Sequence, residues 1–200
     1  MKEIEKSTRA VRGRAPVTAE RTSTGDKLVQ PAASEFNEQG FSGTDTNRIA
    51  RRAGFAPQTF YRWFQDKIEI FIRVYELWQQ QELGILRKLL AEKASDARLA
   101  QACVAHHKAF LVFRRSLRQL STENDVVRAA RAESRRRQIA YLRTLEGSRS
   151  RDSAELAAAL LQIERLSDAL AEGEFHDMGL DDKAGEDALA LLIRQLRGPA

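Results

Sequence analysis

The sequence predicts an all-α fold, with a small N-terminal helical unit ahead of a larger helix bundle. Three observations predict it. No proline occurs between Pro57 and Pro199, and proline is the strongest helix breaker. Beyond Lys67, apolar residues recur at three- and four-residue intervals, the spacing of one helix face. No stretch alternates apolar and polar residues as a half-buried strand does, and no repeat of fixed period occurs.

Residues 1–24 carry Gly13, Pro16 and the basic residues Lys2, Lys6, Arg9, Arg12, Arg14 and Arg21 without an apolar face. This composition predicts a disordered basic arm, of a kind suited to phosphates or a minor groove. Leu28, Ala32, Ala33 and Phe36 then mark a first helix over 25–38, which starts or kinks at Pro31 and stops at Gly40. Thr44 reads as the N-cap of a second, short helix with Asp45 in its first turn. Ile49, Ala50 and Ala53 face inward there, while Asn47, Arg48, Arg51 and Arg52 face outward. Gly54 closes that helix, and Pro57 suits the first position of a third. Two short helices about a glycine-containing turn have helix-turn-helix geometry.

The third helix divides by face. Phe60 and Phe64 are four apart and pack with Phe55 as core. Gln58, Thr59 and Arg62 share another face and match the hydrogen-bonding needs of base edges or phosphates. Tyr61 and Trp63 flank that face with an apolar body and one donor each.

After Lys67 the chain reads as helix almost throughout. The first stripe is Phe71, Tyr75, Trp78, Glu82, Leu86 and Leu89. A second runs unbroken from Leu99 through Cys103, His106 and Phe110 to Leu120. A third runs from Val127 through Tyr141 to Leu145 and ends at Gly147. A fourth runs from Leu156 to Phe175 and ends at Gly179. The last spans Ala188–Leu196 and ends at Gly198. The expected organisation is an arm over 1–24, a three-helix DNA-binding unit over 25–70, and a bundle over 71–200.

Charge is uneven along this plan. Residues 1–75 hold 13 Lys+Arg against 9 Asp+Glu, and residues 76–200 hold 20 against 19. The basic excess lies at the end where an anionic partner would be attracted. The lone cysteine, Cys103, forms no intramolecular disulfide. There is no apolar run of 18 residues and no signal-peptide core near Met1. These features predict a cytoplasmic protein without a membrane partner.

Residues 28–73, LVQPAASEFNEQGFSGTDTNRIARRAGFAPQTFYRWFQDKIEIFIR, resemble the DNA-binding region of the tetracycline-repressor-like (TetR) transcriptional regulators. The matching elements are Gly40-Phe41, Thr44 followed by Ile49-Ala50, Ala53-Gly54-Phe55, and TFYRWFQDK at 59–67. The resemblance implies a homodimer that reads a palindromic double-stranded DNA operator with one recognition helix per subunit. It places Gln58, Thr59 and Arg62 at bases. It places Thr44, Tyr61, Trp63 and Lys67 at phosphates, with Arg48 in support. Three positions depart from the family pattern: Pro31 in the first helix, Ala56 where a capping Ser or Thr is usual, and the bulkier Gln58 at the groove.

For the bundle, the resemblance implies dimerisation through the last two long helices, about 152–178 and 182–197. The candidates there are Leu156, Leu160, Ile163, Leu170, Leu191, Leu192 and Leu196. It also implies a small-molecule effector. Polar residues on apolar stripes mark where a pocket would lie, and they group Tyr75, Trp78, Glu82, His106, Phe110 and Tyr141. His106-His107 has no metal-ligand spacing, so no metal and no cofactor are expected. The Arg135-Arg136-Arg137 run reads as a solvated face. Without a nucleophile–base pair or a phosphate loop, an enzyme is not expected. The reading is a ligand-released repressor, held at the nucleoid through DNA. Activation, or control by a protein partner, is the alternative.

Overall fold

The computed structural model describes residues 19–198, all helix and connecting turn. The helices are α1 (Ala19–Gln39), α2 (Thr46–Arg52), α3 (Pro57–Phe60), α4 (Lys67–Ala91), α5 (Asp96–Ala109), α6 (Leu111–Glu123), α7 (Asp125–Leu142), α8 (Ser153–Glu172), α9 (Glu174–Asp177) and α10 (Lys183–Arg197). Helix α1 begins at Ala19, so its first six residues fall in the segment expected to be a disordered arm; residues 1–18 lie outside the described residues. Pro31 sits inside α1 rather than at its start.

Local chemistry accounts for most helix starts. The Asp45 carboxylate caps α2 by accepting the Arg48 N–H at 2.8 Å. Asp66 caps α4 through Glu69 N–H, and Ser95 caps α5 through Arg98 N–H. Asp152 and Glu155 close a reciprocal capping box on α8. Helix α3 has no side-chain cap at Ala56 and relies on Pro57 at its first position.

A single apolar core joins the N-terminal helices to the bundle. Leu28, Phe36, Ile49, Phe60, Phe71, Trp78, Phe113 and Leu117 all belong to it. The rings of Phe36, Phe41 and Phe113 each lie within 5.2 Å of Phe71. Helix α4 therefore runs across the boundary expected at residue 70, as part of both units.

Three expected helix ends move. The stripe from Leu99 to Leu120 is two helices, broken at Phe110 (φ −121°, ψ 32°). Asn37 of α1 spans this break, donating to the Ala109 carbonyl at 2.8 Å and accepting from Phe113 N–H at 3.4 Å. It satisfies backbone groups that a break leaves without helical partners. The fourth segment stops at Gly173, whose left-handed φ of 80° caps α8 six residues before Gly179. Helix α7 ends at Leu142, and Gly147 instead lies in a 3₁₀ turn against the Gly198 backbone. A Cβ on Gly147 would meet Gly198 N at 2.0 Å.

Candidate nucleic-acid interface and bundle cavity

The outward surface of the helix-turn-helix carries Gln58, Tyr61 and Arg62, all exposed, with Thr59 half-buried beside them. Phe60 and Phe64 are buried beneath, and Phe55 packs against the same core. The division of this helix by face thus holds in three dimensions. The Tyr61 hydroxyl shares a 2.9 Å hydrogen bond with the Thr46 hydroxyl, which ties α3 to the start of α2.

Thr44, Trp63 and Lys67 stand differently from the phosphate contacts expected of them. Thr44 is buried, and its hydroxyl donates to Glu35 at 2.8 Å instead of capping α2. The nearly buried Glu35 carboxylate also meets Arg52 at 3.1 Å and Arg48 at 3.5 Å. Arg52 forms a further pair with Glu38. Arg48 and Arg52 thereby brace α2 on α1, while Arg51 stays exposed. The Lys67 ammonium turns inward, donating to the carbonyls of Phe41 at 2.8 Å and Thr44 at 2.9 Å. It also sits 4.2 Å from the centre of the Phe41 ring. Partial burial pushes its pKa below the usual lysine value. Lys67 pins the start of α4 to the turn between α1 and α2. The half-buried Trp63 ring lies against Gly25 of α1, where a Cβ would stand 3.0 Å from it. Sequence reasoning missed Glu35 because a lone carboxylate in a polar segment shows no periodic signal.

Below this unit a cavity of about 460 Å³ opens between α4, α5, α7, α8 and α10, within the range of small-molecule sites. Leu86, Leu90, Leu99, Leu142, Leu160 and Leu196 make much of its wall. Polar groups gather where α4 faces α7. The Gln79 side chain accepts from Ser134 Oγ at 2.9 Å and from the Gln138 amide, and donates to the Tyr75 hydroxyl at 3.2 Å. Of the six expected pocket residues, Glu82 and Tyr141 line this cavity. Tyr75, Trp78, His106 and Phe110 do not. Tyr75 and Trp78 are buried in the main core, and Phe110 packs on it. His106 stacks on Trp78 at 4.9 Å and donates to its carbonyl at 3.1 Å. Core aromatics and lining residues share one face of these helices, so spacing alone does not separate them.

Behind the cavity lies a buried ion cluster that the sequence did not reveal. His107 is enclosed between two carboxylates, Nδ1 to Asp168 at 2.8 Å and Nε2 to Glu82 at 3.3 Å. With an acceptor at each nitrogen the ring donates twice, the pattern of an imidazolium. Burial opposes that charge, but the bonds to Asp168 and Glu82 outweigh it and raise the pKa above the usual histidine value. Arg114, almost wholly buried, makes a two-pronged contact with Asp168 at 3.0 and 2.9 Å and reaches Glu164 at 3.1 Å. Arg131 and Arg135 also pair with Glu164. Burial works against the ionised Glu164, yet these three arginines hold its pKa down to about 2. The arginine run is therefore split: Arg135 turns into the cluster, whereas Arg136 and Arg137 lie near Glu133 on the surface. Among the described residues no group of three or more His, Cys, Asp or Glu side chains could hold a metal ion.

Comparison with known proteins bears on this geometry. Residues 28–74 match the family model for bacterial regulatory proteins, tetR family. Residues 28–74 are thus similar to the DNA-binding region of that family. A helix-turn-helix-type transcriptional regulator of Bacillus subtilis (strain 168), YdgC, itself uncharacterized, is 32% identical over 66 residues. That stretch is 33% of this chain, and the chain spans about a third (34%) of the relative's length. The fold extends the likeness. The crystal structure of a protein described as a TetR-family transcriptional regulator from Rhodococcus sp. superposes with a TM-score of 0.70 at 14% identity, covering 88% of this chain and all (100%) of that one. The fatty acid degradation regulator FadR from Bacillus halodurans does so with a TM-score of 0.58 at 15% identity, over 85% and 94% of the two chains.

In this TetR-type fold, α8 and α10 pack on each other and on α5, and the leucines expected at a subunit contact divide. Leu156, Leu170 and Leu196 are buried within the chain, and Leu160 and Ile163 line the cavity. Leu192 is half-buried, and Leu191 is exposed. The outer faces instead carry Ala154, Ala158 and Leu161 on α8 and Ala184, Ala188 and Leu191 on α10. Among the described residues no helix is long and apolar enough to cross a membrane.

Proposed function

We propose that the chain is a homodimeric, ligand-responsive transcriptional regulator that binds a palindromic double-stranded DNA operator and leaves it when a small molecule enters the bundle. The observation that carries this reading is the pairing of a braced, outward-facing Gln58/Arg62 surface with a cavity whose wall is α4. In this reading Gln58 and Arg62 reach base edges, with Thr59 beside them, and Tyr61, Arg48 and Arg51 meet phosphates. Thr44 and Lys67 act from behind, by fixing the turn that aims α2. Two heads of a dimer would sit roughly 34–36 Å apart on successive major grooves.

The same geometry supports a route for release. Helix α4 is pinned at one end to the α1–α2 turn by Lys67, and along its length it is bonded to α7 through Gln79. A ligand that parts α4 from α7 shifts the head that α4 carries. Release follows if the ligand binds the shifted state better than the DNA-bound state. The cavity favours small-molecule control over a protein partner, which would need no such space. Repression, a cytoplasmic location and association with the nucleoid follow from this reading, as does the absence of an enzymatic role.

Operator selection from random DNA followed by a gel-shift titration tests the proposal. A selected site should bind in strong preference to random sequence. Replacing Arg62 by alanine should cost about 1–3 kcal/mol on that site and relax the preference at one base pair. Equal affinity for all sequences would refute sequence-specific regulation.

A further inference from the structure

Beside the large cavity lies a second, small chamber of about 40 Å³. Gln79, Glu82, Gln138, Leu160 and Ile163 border both spaces. Trp78, His107, Arg114 and Glu164 line only the small one. Two buried donors on residues that line this chamber have no hydrogen-bond acceptor: the Trp78 indole Nε1–H and the Arg114 Nη1 amino group. Both side chains are 1% exposed, and the Arg114 guanidinium lies 4.6 Å from the centre of the Trp78 ring. A buried donor without an acceptor loses its hydration and gains nothing in return.

From this we infer that the chamber receives the head of the effector: an uncharged acceptor oxygen, such as a carbonyl, on an otherwise apolar molecule whose body fills the leucine-lined cavity. This rests on the reading of the large cavity as the effector site and names what that site selects. A carbonyl oxygen has two lone pairs, enough for both the indole and the guanidinium donor. The volume suits a single functional group and no more. The charges around the chamber already oppose one another. His107 lies between Glu82 and Asp168, and Arg114 lies between Asp168 and Glu164, with Arg118 also on Asp168 and Arg131 and Arg135 also on Glu164, so every carboxylate there is already paired. An ammonium head would compete with His107 for Glu82 and bring a second cation beside Arg114. A carboxylate head would stand against Glu82 and Glu164. A neutral head incurs neither conflict.

Calorimetric titration of the full-length protein with three probes of equal chain length tests this: 2-decanone, decanoate and decylammonium. The ketone should bind at least about tenfold more tightly than either ion. Trp78→Phe keeps most of the ring and removes the donor, so it should weaken the ketone by about tenfold, the scale of one buried hydrogen bond, and leave the ions unchanged. In the wild-type protein, the Raman band that reports indole N–H bonding should shift when 2-decanone is added. That measurement serves also if the variant fails to fold. Equal binding of all three probes, or an unmoved Raman band with the ketone bound, would show that the chamber does not select the head and would overturn the inference while leaving the cavity as a ligand site. Tighter binding of either ion would overturn it as well. Failure of all three to bind would remove the cavity reading itself.

Discussion

Replacing Asp168 by alanine is expected to destabilise the fold by about 3–5 kcal/mol, the cost of stripping one partner from a buried charge pair. Asp168 of α8 answers His107 of α5 and Arg114 of α6 together, and both cations are nearly inaccessible. Without the carboxylate, two buried donors on Arg114 and one on His107 lose their acceptor. Urea unfolding measures the effect; a loss below about 1 kcal/mol, typical of an exposed pair, would mean that water reaches the cluster. The pH dependence follows from the same groups. Asp168 and Glu164 titrate below the ordinary carboxylate values of 3.8 and 4.5. Their contribution is present above those values and is lost as pH falls through the folded ones, toward about 2 for Glu164. His107 titrates above 6.5, so its contribution is full below that pH and is lost as pH rises through the folded value. Stability should therefore peak at roughly pH 5 to 6.5. Asp168→Ala should flatten both flanks.

The double substitution Leu161→Glu and Leu191→Glu should convert a dimer to a monomer and lower operator affinity by on the order of a hundredfold, through loss of the second attached head. Both leucines are exposed, at 47% and 55%, and each stands one turn from an exposed alanine, Ala158 on α8 and Ala188 on α10, which lets helices approach closely. Four carboxylates on a self-complementary face, two from each subunit, would repel across the two-fold axis. Within one chain the cost should be small, since neither side chain is part of the core, and the circular dichroism spectrum should keep its helical form. Sedimentation gives the mass directly. A dimer that survives both substitutions would place the contact elsewhere. Leu156→Glu makes the contrast: Leu156 is fully buried, so this change should unfold the chain rather than split it.

The two cases show why the sequence reached some of the site and not the rest. The Gln58/Arg62 surface was legible because a short helix with Phe60 and Phe64 on one side has its opposite side defined by spacing alone. The outer face of α8 was not. Helix α8 reads SAELAAALLQIERLSDALAE, apolar on nearly every side of its first half, so periodicity does not choose between Leu156 and Leu161. Packing against α5 and α10 chooses. The same holds for His107. A histidine beside another histidine shows no pattern; it becomes a charged centre only when α4 and α8 bring Glu82 and Asp168 to its two nitrogens.

By itself, the sequence determined the all-α class, the three N-terminal helices, the division of the third helix by face, and most of the helical runs. These depend on interactions among residues a few positions apart: caps, turns and three-to-four spacing. The tertiary structure alone decided the break at Phe110, the inward turn of Thr44 and Lys67, the ion cluster, the cavity and the small chamber beside it. Each depends on partners distant along the chain, such as Asn37 with Ala109 or Asp168 with His107. Burial makes those partners decisive, because a polar group removed from water must find its counterpart wherever the fold has placed it.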